Sequence, residues 1–370
     1  IPLFILCGNL MCDGGLSKKL VDFINLFCRK SKGALAYVTI LASAFFAAIS
    51  GSSPATTAAI GGIMAPEMQK NGYDEDFSLA TAAAAGTLGQ IIPPSVGMVS
   101  YAVLAEVSVG TLFLTGFGPG ILMAIFMLIY AYIYVKKNPN IKMNGQKVTA
   151  KEAATVFLQS IWALVMPVII LGGIYGGYVT PTEAAVLSVL YALIYGFATK
   201  EIKVKVLWTV LSKTVLTSAV VTFIISVAKT FGWILSKTRL PAIIGEAIME
   251  VIPNKWVYLA VLMALLFLVG CLMDTIPSIL ILAPILVPVG VQFGLDELHL
   301  GVLFCITLTV GFITPPFGIN LFTAVSTTGE SYTSVVKGVI PFMIVMIICV
   351  LICAFVAPII TFLPGFMMGT

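Results

Sequence analysis

The chain has 370 residues, 59% of them hydrophobic and only 10% charged, with a net charge of +4 and a mean hydropathy of +1.09. Soluble domains carry about 25% charged residues, so the composition excludes a water-soluble globular fold and predicts an all-α polytopic membrane protein. The small positive balance is spread over loops and gives no footprint for nucleic acid, and a single histidine argues against a histidine-based metal site or triad.

Taken in chain order, IPLFIL at 1–6 reads as the middle of a helix, with no charged leader or cleavage motif. The expectation is a spanning helix that begins upstream of Ile1, so that the first repeat is truncated. An arm helix is predicted over 16–32. Leu16, Leu20, Phe23, Ile24 and Phe27 share one face, with Lys18, Lys19 and Asp22 elsewhere, a pattern suited to a bilayer surface. The apolar stretch 34–68 is interrupted at 51–54. At about 1.5 Å per residue it is too long for one helix of ordinary tilt and too short for two crossings, which predicts a re-entrant hairpin. Segment 77–107 is long enough to span but carries Pro93-Pro94 at its centre.

Uninterrupted spans are predicted at 115–135, 156–176, 184–198 and 208–235. The turn Thr180-Pro181-Thr182-Glu183 reads as a capping box with proline at the first helical position. A second arm helix is expected at 240–252, a second hairpin at 257–289 interrupted at 270–277, and a second broken helix at 300–326 with Pro315-Pro316 at its centre. A final span is predicted at 338–363. The seven cysteines form no CxxC pair and read as small apolar residues. Trp162, Trp208, Trp233 and Trp256 fall near predicted helix ends and read as interfacial anchors.

One pattern occurs twice. GSSPAT (51–56), Ala65-Pro66, Gly72, Asp74 and IIPPSVG (91–97) are followed by GCLMDT (270–275), Ala283-Pro284, Gly294, Asp296 and FITPPFG (312–318). The spacing is similar between the copies, with small length differences in the hairpins. This divides the chain into a first repeat at 1–135, a central loop and helix pair at 136–207, and a second repeat at 208–370. Orientation follows from lysine and arginine. Lys18, Lys19, Arg29, Lys30 and Lys32, then Lys136, Lys137, Lys142, Lys147 and Lys151, then Lys200, Lys203 and Lys205 mark three cytoplasmic segments. Counting crossings, the second hairpin enters from the outside, so the two repeats are inverted. Lys237, Arg239 and Lys255 then fall outside, offset by Glu246 and Glu250.

Matched Gly/Pro-interrupted segments in two halves are the sequence sign of a secondary transporter's binding site. Broken helices expose carbonyls that suit a hard cation and N–H groups that suit a carboxylate. At the first tip Ser52, Ser53 and Thr56 offer neutral oxygens, completed by the break around Gly89, Ile92 and Pro93. At the second tip Asp274 and Thr275 join the break around Gly311, Thr314 and Pro315. A carboxylate at membrane depth is costly and marks a functional site; a bound cation would compensate Asp274. Two or more Na⁺ ions are expected. The substrate is expected between the tips, near Ser50, Gly51, Pro94, Ser95, Pro316 and Asn320. Without Lys or Arg at midplane near either motif, it would rely on dipoles, hydroxyls and Na⁺.

These segments, together with IPLFILCGNLM (1–11), GQIIPPSVGMVSY (89–101), GGIYGGYVTPTEAA (172–185), MDTIPSILILAPILVP (273–288) and GFITPPFGINLF (311–322), resemble the large membrane subunit of tripartite ATP-independent periplasmic (TRAP) transporters, the DctM-like family. The resemblance covers nearly the whole chain. It implies an elevator-type transporter with scaffold and transport domains, in the bacterial cytoplasmic (inner) membrane. It also implies sodium-coupled import of an organic acid such as a C4-dicarboxylate, sialic acid or another sugar or keto acid. The implied partners are a soluble periplasmic substrate-binding protein and a small four-helix membrane subunit. A stand-alone sodium/carboxylate symporter is the alternative. A channel would need a continuous polar pore, and an intramembrane protease would need a second facing aspartate or clustered histidines, neither of which the sequence offers.

Overall fold

The computed structural model describes residues 1–142, 149–238 and 240–368; Lys147 and Arg239 lie outside the described residues. The described residues form helices α1 (Pro2–Asp13), α2 (Leu16–Cys28), α3 (Ala34–Ser50), α4 (Ser53–Thr56), α5 (Gly62–Lys70), α6 (Glu75–Gly86), α7 (Leu88–Ile91), α8 (Val96–Ala105), α9 (Val109–Lys137) and α10 (Ala150–Pro167). They continue as α11 (Gly173–Tyr175), α12 (Pro181–Ala198), α13 (Val204–Thr238), α14 (Leu240–Val251), α15 (Lys255–Leu272), α16 (Thr275–Gln292), α17 (Glu297–Gly311), α18 (Ile319–Thr328), α19 (Tyr332–Phe355) and α20 (Pro358–Met368). Wide π-helical turns join α4 to α5 at Thr57–Gly61 and α10 to α11 at Val168–Gly172. Among the described residues, eight helical segments are long and apolar enough to cross a membrane.

Both interrupted segments double back. In the second, Tyr258 near the start of α15 donates its hydroxyl to the carbonyl of Leu286 near the end of α16 at 2.5 Å, and its ring stacks on Phe293. In the first, Thr39 of α3 lies 3.5 Å from the sulfur of Met68 in α5. The sequence explains each reversal. Gly51 ends α3 in the left-handed region at φ 62°, and a Cβ there would stand 2.8 Å from the carbonyl oxygen of Pro94, so only glycine fits. Asp274, in extended conformation, caps α16 by accepting the N–H of Ile276 at 3.4 Å.

Each hairpin is followed by a helix broken at a cis Pro-Pro bond, at Pro93-Pro94 and Pro315-Pro316. Beyond the first break the chain restarts at Ser95, which accepts the N–H of Met98 and donates its hydroxyl to the carbonyl of Gln90 at 2.7 Å. The span from Glu75 to Ala105 is 83% buried inside the protein, whereas those over Lys151–Tyr175 and Val204–Leu235 are each 22% buried. The broken helices therefore form the interior and α10 and α13 the periphery, as expected where irregular backbone is tolerated only inside protein. Phe77, Tyr130, Tyr134 and Phe342 form an aromatic cluster that ties α6 to α9 and α19. The capping box at Thr180 and Glu183 is present, and an equivalent one at Thr149 and Glu152 starts α10.

Four expectations are corrected. The first arm helix ends at Cys28 rather than residue 32. Its Leu16, Leu20 and Ile24, expected to lie on a bilayer surface, are instead buried within the protein, where α2 packs against α3 and α10, while Phe27 stays 71% exposed. The final span divides, since Pro358 disfavours helical geometry in the residue before it; α19 stops at Phe355 and α20 begins at Pro358. Trp162 lies well inside its helix, which starts at Ala150.

Candidate functional site at the two hairpin tips

The two tips are built alike. The N–H of Val96, after the first Pro-Pro bond, donates to the carbonyl of Gly51 at 3.2 Å. The N–H of Gly318, after the second, donates to the carbonyl of Cys271 at 3.3 Å. Glycines permit the approach on both sides. A Cβ on Gly89 would lie 2.4 Å from the carbonyl oxygen of Ser52, and one on Gly311 would lie 2.4 Å from the carbonyl carbon of Gly270. Each tip is thus pressed against the break of its own half.

At the first tip the oxygens converge. The hydroxyls of Ser50 and Thr56 are 2.7 Å apart, and Thr56 donates to the carbonyl of Ser52 at 2.9 Å. Gly89 closes the side of this cluster. Neutral oxygens are the ligand type that a hard cation takes. Ser53 takes a different path. Its hydroxyl donates to Oδ1 of Asn320 at 3.1 Å and accepts from Nδ2 of the same residue at 2.8 Å. Asn320 also donates to the carbonyl of Ala83 at 2.9 Å and is fully buried. At the second tip, Ser278 donates to the carbonyl of Asp274 at 2.7 Å, and Thr314 to that of Val310 at 3.2 Å. The buried hydroxyl of Thr275 has no hydrogen-bond partner among the described residues. A buried unpaired hydroxyl is costly, and an ion beside Asp274 would satisfy it.

A cavity of about 190 Å³ lies where the tips meet. Ser50, Gly51, Ser52 and Asp274 line it, as does Gln90 from the first break. Asn9 of α1 and Thr217 of α13 form its opposite wall. Among the described residues no Lys or Arg lines it, and Asp274 is its one carboxylate. Pro94, Ser95, Pro316 and Asn320 do not line it. Ile92, Pro93, Thr314 and Pro315 sit in the breaks behind the tips. Sequence reasoning missed Asn9 and Thr217 as wall residues. Asn9 did carry a signal, a carboxamide within the apolar run CGNLMC. A larger cavity, about 500 Å³, lies elsewhere, between Trp233 of α13 and Pro284 and Pro288 of α16.

The Asn320 bridge gives a direct expectation. Asn320→Ala leaves Ser53 and the Ala83 carbonyl unpaired in the interior, at a cost of about 1–3 kcal/mol for each orphaned group. The midpoint of thermal unfolding in detergent should fall clearly. An unchanged midpoint would mean that the bridge contributes nothing.

The DctM component of the tripartite ATP-independent periplasmic transporter matches residues 1–359. The isethionate TRAP transporter permease protein DctMQ of Oleidesulfovibrio alaskensis is 38% identical over 366 residues, covering 99% of this chain and 58% of that protein. The C4-dicarboxylate TRAP transporter large permease protein DctM of Pseudomonas aeruginosa is 35% identical over 370 residues, covering 99% of this chain and 86% of that protein. The chain thus spans a little over half the length of the first relative and most of the second. The crystal structure of the Alcanivorax borkumensis YdaH transporter superposes with a TM-score of 0.69 at 13% identity, over 96% of this chain and 83% of that one, and shows a shared fold. The relatives are transport permeases rather than enzymes. With eight helices of spanning length, the chain is a multi-pass protein of the bacterial inner membrane. It belongs to the family of DctM components of tripartite ATP-independent periplasmic transporters.

Proposed function

We propose that the chain is the large subunit of a sodium-coupled importer of a small organic acid. In this reading a periplasmic binding protein delivers the acid, and a small membrane subunit supports the assembly. The observation that carries the reading is the cavity between the tips, with its single carboxylate and no cation. An acid bound there faces Asp274. Two like charges about 4 Å apart repel by about 4 kcal/mol at an effective dielectric near 20. A sodium ion beside Asp274 and Thr275 removes that repulsion, so acid and ion bind together and travel together. The oxygen cluster of Ser50, Ser52 and Thr56 would hold a second ion. Isethionate and C4-dicarboxylates, named for the relatives, both fit the requirement for a compact anion in a cavity smaller than the roughly 300–1,000 Å³ typical of drug-sized ligands.

The placement of the cavity walls supports an elevator motion. Hairpins and broken helices pack as one interior unit, while α1 and α13 form the facing wall. Sliding the interior unit along that wall would carry both tips and their cargo across the membrane, an elevator mechanism served by two inverted repeats.

Uptake into proteoliposomes tests this. The vesicles contain the large and small subunits under a sodium gradient, with radiolabelled succinate, isethionate, sialic acid and a panel of sugar and keto acids. Each acid is offered with and without the binding protein. Uptake that requires both sodium and that protein is expected. Sodium-driven uptake without it would favour a stand-alone symporter, and uptake indifferent to sodium would overturn the coupling.

A further inference from the structure

The cavity wall opposite the tips belongs to a different part of the protein, and that difference has a functional meaning. Asn9 lies about one turn before the end of α1. Its Nδ2 donates to the hydroxyl of Thr214 on α13 at 3.0 Å. Below it, Asp13 pairs with Lys213 at 3.9 Å. These two links hold α1 against α13, and they place the carboxamide where α1 meets the cavity. A carboxamide has two N–H donors and an acceptor oxygen. One N–H goes to Thr214. Among the described residues the other polar valences have no partner.

The cavity also has a definite height. Thr217 stands roughly 20 Å by helical rise from the end of α13 flanked by Lys203 and Lys205, and roughly 30 Å from its other end. By the charge rule the lysine-flanked end is cytoplasmic. On that orientation the acid site lies about 6 Å to the cytoplasmic side of the middle of α13. Ser52, Gln90 and Asp274 belong to the unit that would move, and Asn9 to the wall that would not.

We infer that Asn9 is a one-sided substrate contact, a wall residue that hydrogen-bonds the bound acid only when the site faces the cytoplasm. This deepens the proposed function and rests on it. Ser52 accompanies the acid to both faces of the membrane, whereas Asn9 meets it at one. Asn9 thus sets the affinity from which the acid is released, independently of the affinity at which it is collected. Thr214 acts as a positioning residue, fixing the carboxamide's orientation.

The test measures affinity on each side separately. Proteoliposomes carry the large and small subunits, and the binding protein is added outside only, so that one orientation of the transporter is served. Succinate and isethionate are the probes. The external half-saturation concentration is read from initial uptake. The internal affinity is read from the concentration of preloaded acid that halves uptake. A hydrogen bond to a charged group contributes about 1.5–3 kcal/mol, so Asn9→Ala should raise the internal value about tenfold or more and leave the external value within twofold. Thr214→Val should give a smaller shift in the same direction. Asn9→Asp keeps the side chain's shape and its contact with Thr214 but places a second negative charge near Asp274. It should raise the internal value further than alanine does, which keeps the test decisive if the alanine variant is poorly folded.

Ser52→Ala is the control and should shift both values. Equal internal and external shifts for the Asn9 variants, or no internal shift while Ser52→Ala impairs transport, would overturn the one-sided contact alone. If Ser52→Ala has no effect on either side, the cavity is not the acid site and the proposed function falls with the inference.

Discussion

Asp274→Asn should lower uptake by about tenfold to a hundredfold and flatten its dependence on external sodium. The magnitude follows from removing a charge-assisted ion contact of about 1.5–3 kcal/mol. The choice of asparagine matters. Asp274 has two roles, as the carboxylate of the cavity and as the cap of α16 through the N–H of Ile276. Asparagine caps a helix about as well as aspartate, so the hairpin should keep its shape while the charge is lost. Alanine removes both and would confuse loss of ion binding with a frayed tip. The sodium activation curve is the deciding measurement, taken on protein that elutes as a single species. If Asp274→Asn retains wild-type sodium dependence, no ion sits at this tip and the charge argument for coupling is wrong.

The second large effect is on stability. Gly311→Ala should abolish or severely reduce recovery of folded protein. The added carbon would lie 2.4 Å from the carbonyl carbon of Gly270 and 2.7 Å from the backbone nitrogen of Cys271. Neither neighbour is a side chain that can rotate away. Overpacking a core by one carbon ordinarily costs about 1–3 kcal/mol, and contact with backbone on the tip itself places this substitution at the upper end or beyond. Gly232→Ala is the matched comparison. It lies within α13, nothing stands within 4 Å of the added carbon, and the substitution should be neutral or stabilise by about 0.5–1 kcal/mol. Thermal unfolding in detergent, monitored by the fraction of monodisperse protein, checks both. Similar behaviour of the two variants would show that close packing of tip against break is not what holds the site together.

The parts of this protein legible in its sequence are those specified by local backbone chemistry. Gly51 and the two Pro-Pro pairs announce breaks because no regular helix accommodates them, and the breaks are where the chain reverses or unwinds. Thr180 and Glu183 announce a helix start for the same reason. The division between α19 and α20 was equally local, since Pro358 marks it, but a long apolar run masked the signal. What sequence could not supply was the identity of long-range partners. Asn320 looks from its place after the second break like a substrate ligand, yet its amide meets Ser53 and Ala83 from the other half of the chain. Asn9 sits in an apolar run far from either motif and becomes part of the cavity wall only when α1 folds beside the first tip. The apolar face of α2 suits a bilayer surface in the sequence, but only the fold shows that Leu16, Leu20 and Ile24 are covered by protein while Phe27 is left exposed.

The bridge between Ser53 and Asn320 joins α4 at the first tip to the helix that follows the second break. Such a fastening makes the two halves of the carrier a single mechanical body. With an ion at each tip, as proposed, distortion caused by an empty position in one half would be transmitted to the other, and any influence of the first cargo on the second would be returned in equal measure. A carrier built this way resists moving when partly loaded. The thriftiness of the machine, its refusal to dissipate the ion gradient on empty journeys, would then reside in one buried pair of side chains that never touches the cargo.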